Sequence, residues 1–165
     1  MNQPLRICFV CTGNICRSPM AQVVMERLIE AEGLADKVVV DSAGTGSWHV
    51  GENMDPRASA ALKSKGYRCT GHRAQRIDRG WLGSRDMLVA LDRSHLAALG
   101  AMAGPEDFPK IRLLLEGEGE SADVPDPYYG GQEDFETALE LIEGGCSKLI
   151  EQVRGRLDLA DESDA

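Results

Sequence analysis

An apolar run, Leu5-Arg6-Ile7-Cys8-Phe9-Val10, gives way within a few residues to apolar side chains at helical spacing, and this change of period recurs along the chain. A run that is apolar at nearly every position suits a strand of a parallel sheet covered on both faces. A polar loop containing Gly13 follows it. Pro19 falls where a first helical turn would start, Met20, Val24, Leu28 and Ala31 repeat at helical spacing, and Gly33 is a stop. Val38-Val39-Val40 reads as a second strand, and Pro56 to Lys65 as a helix ending at Gly66. Asp86 to Leu91 reads as a third strand, with Asp92 or Ser94 as cap of the helix after it. Ile111 to Leu115 reads as a fourth strand. Phe135, Leu139, Ile142, Cys146, Leu149 and Val153 form the stripe of a final helix, weakened at Gly144-Gly145. Alternating strands and helices imply an α/β fold with a parallel sheet and right-handed crossovers. In such sheets ligands bind beyond the carboxyl ends of the strands, where the loop after the first strand lies.

At 165 residues the chain fits one domain with a core of its own. Its net charge of −9 argues against a sequence-independent nucleic-acid binder. No stretch approaches the roughly 20 apolar residues of a membrane span. The N-terminal segment is too short and too soon polar for a signal peptide, so a cytoplasmic home is expected, with export by another route left open. Five Cys residues, an odd number, make a disulfide framework an unsuitable reading. No Cys or His spacing suggests zinc. The stretch Glu116-Gly117-Glu118-Gly119-Glu120 reads as solvated loop, and the tail from Asp158 to Ala165 as a frayed terminus.

The loop Cys11-Thr12-Gly13-Asn14-Ile15-Cys16-Arg17-Ser18 carries the chemistry. It joins a strand to a helix N-terminus, so backbone N–H groups from Thr12 to Ser18 can converge on one anion, helped by the helix dipole. Gly13 permits a tight turn and close approach of backbone to ligand. Arg17 offers a planar fork for two phosphate oxygens. The same positive surroundings favour a thiolate at Cys11, a nucleophile aimed at a bound phosphorus. Cys8, by contrast, reads as a small buried hydrophobe. A phenolate leaving group departs more easily if protonated, and Asp126, stiffened by Pro127 and flanked by Tyr128 and Tyr129, is the candidate acid. Alone, without the first loop, that segment reads as an Asp-Pro turn with two surface tyrosines. The loop alone fits arsenate as well as phosphate.

The segment from Cys11 to Ala21, with Ser42-Ala43-Gly44-Thr45, Gly71-His72-Arg73-Ala74 and Asp126-Pro127-Tyr128-Tyr129-Gly130, resembles the low-molecular-weight protein tyrosine phosphatases. Asp134-Phe135-Glu136 is similar too. Trp48-His49-Val50-Gly51 and Leu91-Asp92-Arg93-Ser94-His95 look most like actinobacterial members. The resemblance spans about residues 5 to 155, so we expect one phosphatase domain over 1–157 and an acidic, disordered tail over 158–165. It implies a single-domain α/β fold, a four-stranded parallel twisted sheet flanked by helices on both faces, and hydrolysis of phosphotyrosine without metal or cofactor. It makes Cys11 the nucleophile, Arg17 the phosphate clamp and Asp126 the proton donor. Ser18 would hydrogen-bond the Cys11 sulfur; Asn14, Ser42 and His72 would support the loop; Trp48, His49, Tyr128 and Tyr129 would border the cleft. Cys16 matches the family's second loop cysteine, which could trap an oxidised Cys11 as a disulfide. The partners implied are phosphotyrosine proteins and a cognate tyrosine kinase, with the chain a monomer. Two rivals remain: a thiol-linked arsenate reductase, which needs further relay cysteines where this chain has only Cys69 and Cys146, and a non-catalytic phosphate-binding module.

Overall fold

The side chains of β1 (Leu5–Cys11) alternate between two separate cores, and this period of two organises the molecule. The computed structural model describes residues 3–69, 71–117 and 122–164, the side chains of 162–164 excepted. Residues 118–120 of the acidic stretch and Ala165 lie outside them; Glu116 and Gly117 form an exposed turn. After β1 come α1 (Arg17–Ala31), β2 (Val38–Gly44), α2 (Pro56–Ser64), α3 (Arg79–Ser84), β3 (Met87–Ala90), α4 (Arg93–Met102), a 3₁₀ turn (Phe108–Lys110), β4 (Ile111–Leu113) and α5 (Gln132–Asp164). The four strands form one parallel sheet in the order β2-β1-β3-β4. Leu5, Ile7, Phe9 and Cys11 point into a core built with Met20 and Val24 of α1, Leu62 of α2 and Phe135, Leu139 and Ile142 of α5. Cys8 and Val10 point the other way, onto Leu82 of α3 and Leu99 of α4. Helices therefore cover both faces, as the near-continuous apolar run of β1 requires.

From β1 the chain crosses to β2 on one side; after β2 it returns to β3 on the other side of β1. The carboxyl ends of β1 and β3 thus flank the switch point of the sheet, where a crevice opens. The loop after β1 and Asp92, just past β3, meet there.

Several boundaries differ from the sequence expectation. Helix α1 starts at Arg17, so Pro19 sits inside the first turn, where its missing N–H has no intrahelical partner to lose. The fourth strand stops at Leu113 because β3, its only neighbour among the described residues, ends at Ala90; Leu114 and Leu115 turn inward and are buried. Helix α3 is unanticipated: its two glycines hide it, but Asp78 caps it by accepting from Gly80 N at 2.8 Å and Leu82 buries. Helix α5 runs into the acidic tail, through Asp164. Residues 157–164 contain no Gly or Pro to stop the helix, and Lys37 Nζ lies 3.6 Å from Asp161 Oδ2.

The Gly144-Gly145 pair separates into two unlike positions. A Cβ on Gly145 would lie 2.6 Å from Leu114 Cγ, so this glycine lets α5 pass close to the segment after β4. A Cβ on Gly144 would meet nothing within 4 Å. Gly144→Ala should therefore raise stability by about 0.5–1 kcal/mol through helix propensity. Gly145→Ala should lower it by about 1 kcal/mol or more through overpacking. Urea denaturation of the two variants checks the opposite signs.

Candidate active site

The loop Thr12–Cys16 is held from behind by a polar cluster centred on Asn14, a residue with no exposed surface and a φ of +57°. That left-handed backbone is tolerated by Asn better than by most residues and bends the loop so that it can face one point. Its side-chain amide donates to Ser18 Oγ at 2.8 Å and to Ser42 Oγ at 2.9 Å. Its Oδ1 accepts from Gln75 N at 2.9 Å. Ser42 passes its own hydrogen to Gln22 Oε1 at 2.7 Å. The Asn14 carbonyl accepts from His72 Nε2 at 2.6 Å, which assigns the His72 proton to Nε2. Burial lowers the His72 pKa, which suits that neutral form.

The end of β2 closes against the loop's other side. Thr45 N donates to Cys11 O and Gly46 N to Thr12 O, both at 2.9 Å. A Cβ on Gly44 would stand 2.6 Å from Thr12 O, so a side chain there would push the loop out of place. Asp55 N donates to Ile15 O at 2.9 Å and ties the loop to the start of α2.

Cys11, 3 % exposed, ends β1, and its Sγ lies 2.9 Å from Ser18 Oγ. Ser18 accepts from Asn14, so its single hydrogen is free to go to the sulfur, much nearer than the Ala43 carbonyl at 3.5 Å. Arg17 is 3 % exposed and fixed at the mouth of the loop. It donates to Asp92 Oδ2 at 2.7 Å and to Val124 O at 2.9 Å, and its other terminal nitrogen lies 3.6 Å from Asp126 Oδ2. Burial pushes the Asp92 carboxyl up, but hydrogen bonds from Ser94 and Arg17 outweigh it and hold the group at about 2. Asp92 is therefore a permanent anion that orients Arg17. Asp126 is exposed and receives Tyr128 N on Oδ1 at 3.1 Å.

These parts surround one cleft of about 430 Å³. It is lined by Cys11, Thr12, Gly13, Ile15, Cys16 and Arg17 on its floor and by Trp48, His49, Asp126, Tyr128 and Tyr129 on its walls. Trp48 is 76 % and Tyr129 93 % exposed, so neither is anchored in the core. The Tyr128 and Tyr129 rings meet edge to face at 4.9 Å, and His49 is paired with Glu52 beside Tyr128. Ser42 and His72 stand behind the loop, outside the cleft. Cys16 is buried, and burial first, then the charges of Asp55 and Cys11, raise its thiol pKa. All five cysteines are free thiols.

A family model described as low molecular weight phosphotyrosine protein phosphatase matches residues 6–158. The chain belongs to this family. It is 48% identical over 160 residues to a low molecular weight protein-tyrosine-phosphatase of Streptomyces coelicolor, covering 92% of this chain and 97% of that one. It is 44% identical to low molecular weight protein-tyrosine phosphatase A of Mycobacterium tuberculosis, over 95% of this chain and 96% of the other. Both relatives are actinobacterial. Among solved structures, YfkJ from Bacillus subtilis superposes with a TM-score of 0.88 at 34% identity, covering 94% of this chain and 98% of that one.

Three contributors to this phosphatase site escape a sequence reading. Asp92 is legible as a helix cap, and it does cap α4, accepting from Ser94 N at 2.8 Å; its second oxygen, which holds Arg17, is not legible. Its position at the carboxyl end of β3 is the only hint. Arg57 is chelated by Asp55, donates to Gly130 O at 3.1 Å and lies over the rings of Phe135 and Tyr128, at 4.6 Å and 5.6 Å. It thereby ties the segment after Asp126 to the start of α2. His95, 1 % exposed, reaches Thr12.

Burial pushes His95 down to about 4 from its ordinary 6.5. Below about 6.5 the unfolded chain takes up a proton here that the folded chain refuses. Stability should therefore fall as pH drops from about 6.5 toward 4, and His95→Gln should flatten that slope. Urea midpoints for both proteins across this window check it; equal slopes would contradict it.

Proposed function

We propose that this chain hydrolyses phosphotyrosine in proteins through a phosphocysteine intermediate. The observation that carries the reading is the convergence of Cys11, Arg17 and Asp126 on one cleft with aromatic walls. The phosphoryl group sits in the loop, its charge met by backbone N–H groups, the dipole of α1 and the Arg17 fork. Arg17 reaches the site already oriented by Asp92, so little side-chain freedom is lost on binding. Cys11 Sγ attacks phosphorus and the bond from phosphorus to the tyrosyl oxygen breaks. Asp126 gives its proton to the departing phenolate. Water then attacks the phosphocysteine, Asp126 takes a proton from it, and the sulfur leaves as thiolate with Ser18 donating to it. Tyr128 and Tyr129 flank the phenyl ring, Trp48 and His49 the residues around it.

The relatives named as protein-tyrosine phosphatases support this substrate class. The remaining cysteines speak against a disulfide relay of the arsenate-reductase kind. Cys146 is fully buried against α1, and Cys69 lines a separate cavity beside His72. Cys16 is different: it lines the same cleft as Cys11. Its thiol could condense with a peroxide-formed sulfenic acid on Cys11, releasing water and leaving a reducible disulfide. No helix among the described residues is long and apolar enough to cross a membrane. The chain acts, in this reading, as a monomer on phosphotyrosine proteins in the cytoplasm, opposite a tyrosine kinase.

Cys11→Ser should abolish hydrolysis of an aryl phosphate; normal turnover would remove Cys11 as nucleophile. Asp126→Ala should slow phenyl phosphate by about 10²-fold or more while sparing esters whose leaving groups need no proton. Steady-state kinetics across a series of leaving groups separates the two, and equal losses throughout would remove Asp126 as acid.

A further inference from the structure

Thr12 directly follows Cys11 in the loop and lines the cleft together with Cys11 and Arg17. Its Oγ1 lies 2.8 Å from Nε2 of His95, a histidine with 1 % of its surface exposed. The direction of that hydrogen bond follows from the other ring nitrogen. Asp92 N–H donates to His95 Nδ1 at 3.2 Å, completing a reciprocal cap at the start of α4. Nδ1 also stands 3.2 Å from Asp92 Oδ1, but that oxygen already accepts from Ser94 N and His95 N. Placing a hydrogen on Nδ1 would leave the Asp92 N–H without its acceptor. Burial keeps the ring neutral, so it carries one hydrogen, and that hydrogen is on Nε2. His95 therefore donates and Thr12 accepts. A hydroxyl has one hydrogen; that of Thr12 is not spent on His95, and no other acceptor for it exists among the described residues.

We infer that the Thr12 hydroxyl donates this hydrogen to an oxygen of the bound phosphoryl group, and that His95 is the positioning residue that turns it there. Thr12 then contributes its side chain as well as its backbone to phosphate binding. His95 acts without touching the substrate. The same Asp92 that orients Arg17 also sets the His95 tautomer, so two donors to the phosphate are aligned by one carboxylate and its backbone N–H. This inference rests on the phosphatase reading of the cleft. Wild-type turnover tests that reading, and ratios between variants test the inference.

The experiment measures kcat/KM for an aryl phosphate and the inhibition constant of inorganic phosphate for Thr12→Val, Thr12→Ser, His95→Leu and the Thr12→Val/His95→Leu double variant. Loss of one hydrogen bond to a charged group predicts about a tenfold or larger weakening of both quantities in Thr12→Val. Thr12→Ser should stay within about threefold of wild type, because the hydroxyl remains. His95→Leu should lose in the same direction, and the double variant should be no worse than Thr12→Val alone, since both remove one interaction. Phosphate inhibition unchanged in Thr12→Val, or losses that multiply in the double variant, would overturn the inference. Where His95→Leu does not fold, ¹⁵N NMR of the wild-type imidazole decides: hydrogen on Nε2 with a bare Nδ1 is expected, and the opposite tautomer overturns it.

Discussion

The hydrogen bonds of Asn14 are the constraint on which the rest of the site depends. A strand must hand over to a helix within five residues. That path needs a left-handed residue, and Asn14 supplies it at φ +57° with its side chain pointing inward. Its amide and carbonyl then reach Ser18, Ser42, Gln75 and His72, which come from α1, β2 and the segments between α2 and α3. A fully buried amide with all its partners is strongly specifying, because any displacement leaves a polar group unpaired. The loop is therefore formed before any anion arrives. The cost of ordering it is met in folding and not in binding.

A second layer of order comes from across the switch point. The carboxyl end of β3 lies next to that of β1, so Asp92 arrives beside Arg17 through sheet topology alone. Val124 O completes the hold on the guanidinium from the segment that leads to Asp126. Arg57 and Asp55 join that segment to Ile15 of the loop from the other side. Cys11 and Arg17 thus flank the same five-residue loop, and Asp126 joins them from a distant part of the chain. Even in an acidic protein of net charge −9, a helix N-terminus and one fixed Arg can make a local positive potential.

Much of this frame can be read from the chain itself, for physical reasons. The β1 run is legible because strands buried on both faces must be apolar throughout. The loop is legible because Cys, Gly and Arg at that spacing before a helix suit an oxyanion. Asp126 stands out through Pro127 and its two tyrosines, and it does share the cleft with Cys11 and Arg17. What stays hidden are residues with two tasks. Asp92 resembles any helix cap, and only the fold shows that its second oxygen meets Arg17. His95 resembles a helix residue, and only its burial and its contact with Thr12 set it apart. Short α3 is hidden by its glycines, because pattern reading weighs composition where capping decides.

The central claim is that this preformed loop makes Cys11 the group that receives the phosphoryl. The most direct measurement is a denaturing quench during turnover of an activated aryl phosphate, followed by mass spectrometry of the Cys11 peptide. Asp126→Ala is the best enzyme for it, because a missing base slows hydrolysis of the intermediate. The account predicts phosphate covalently attached to Cys11 in a substantial fraction of the quenched enzyme. An unmodified Cys11 peptide throughout steady turnover would contradict it.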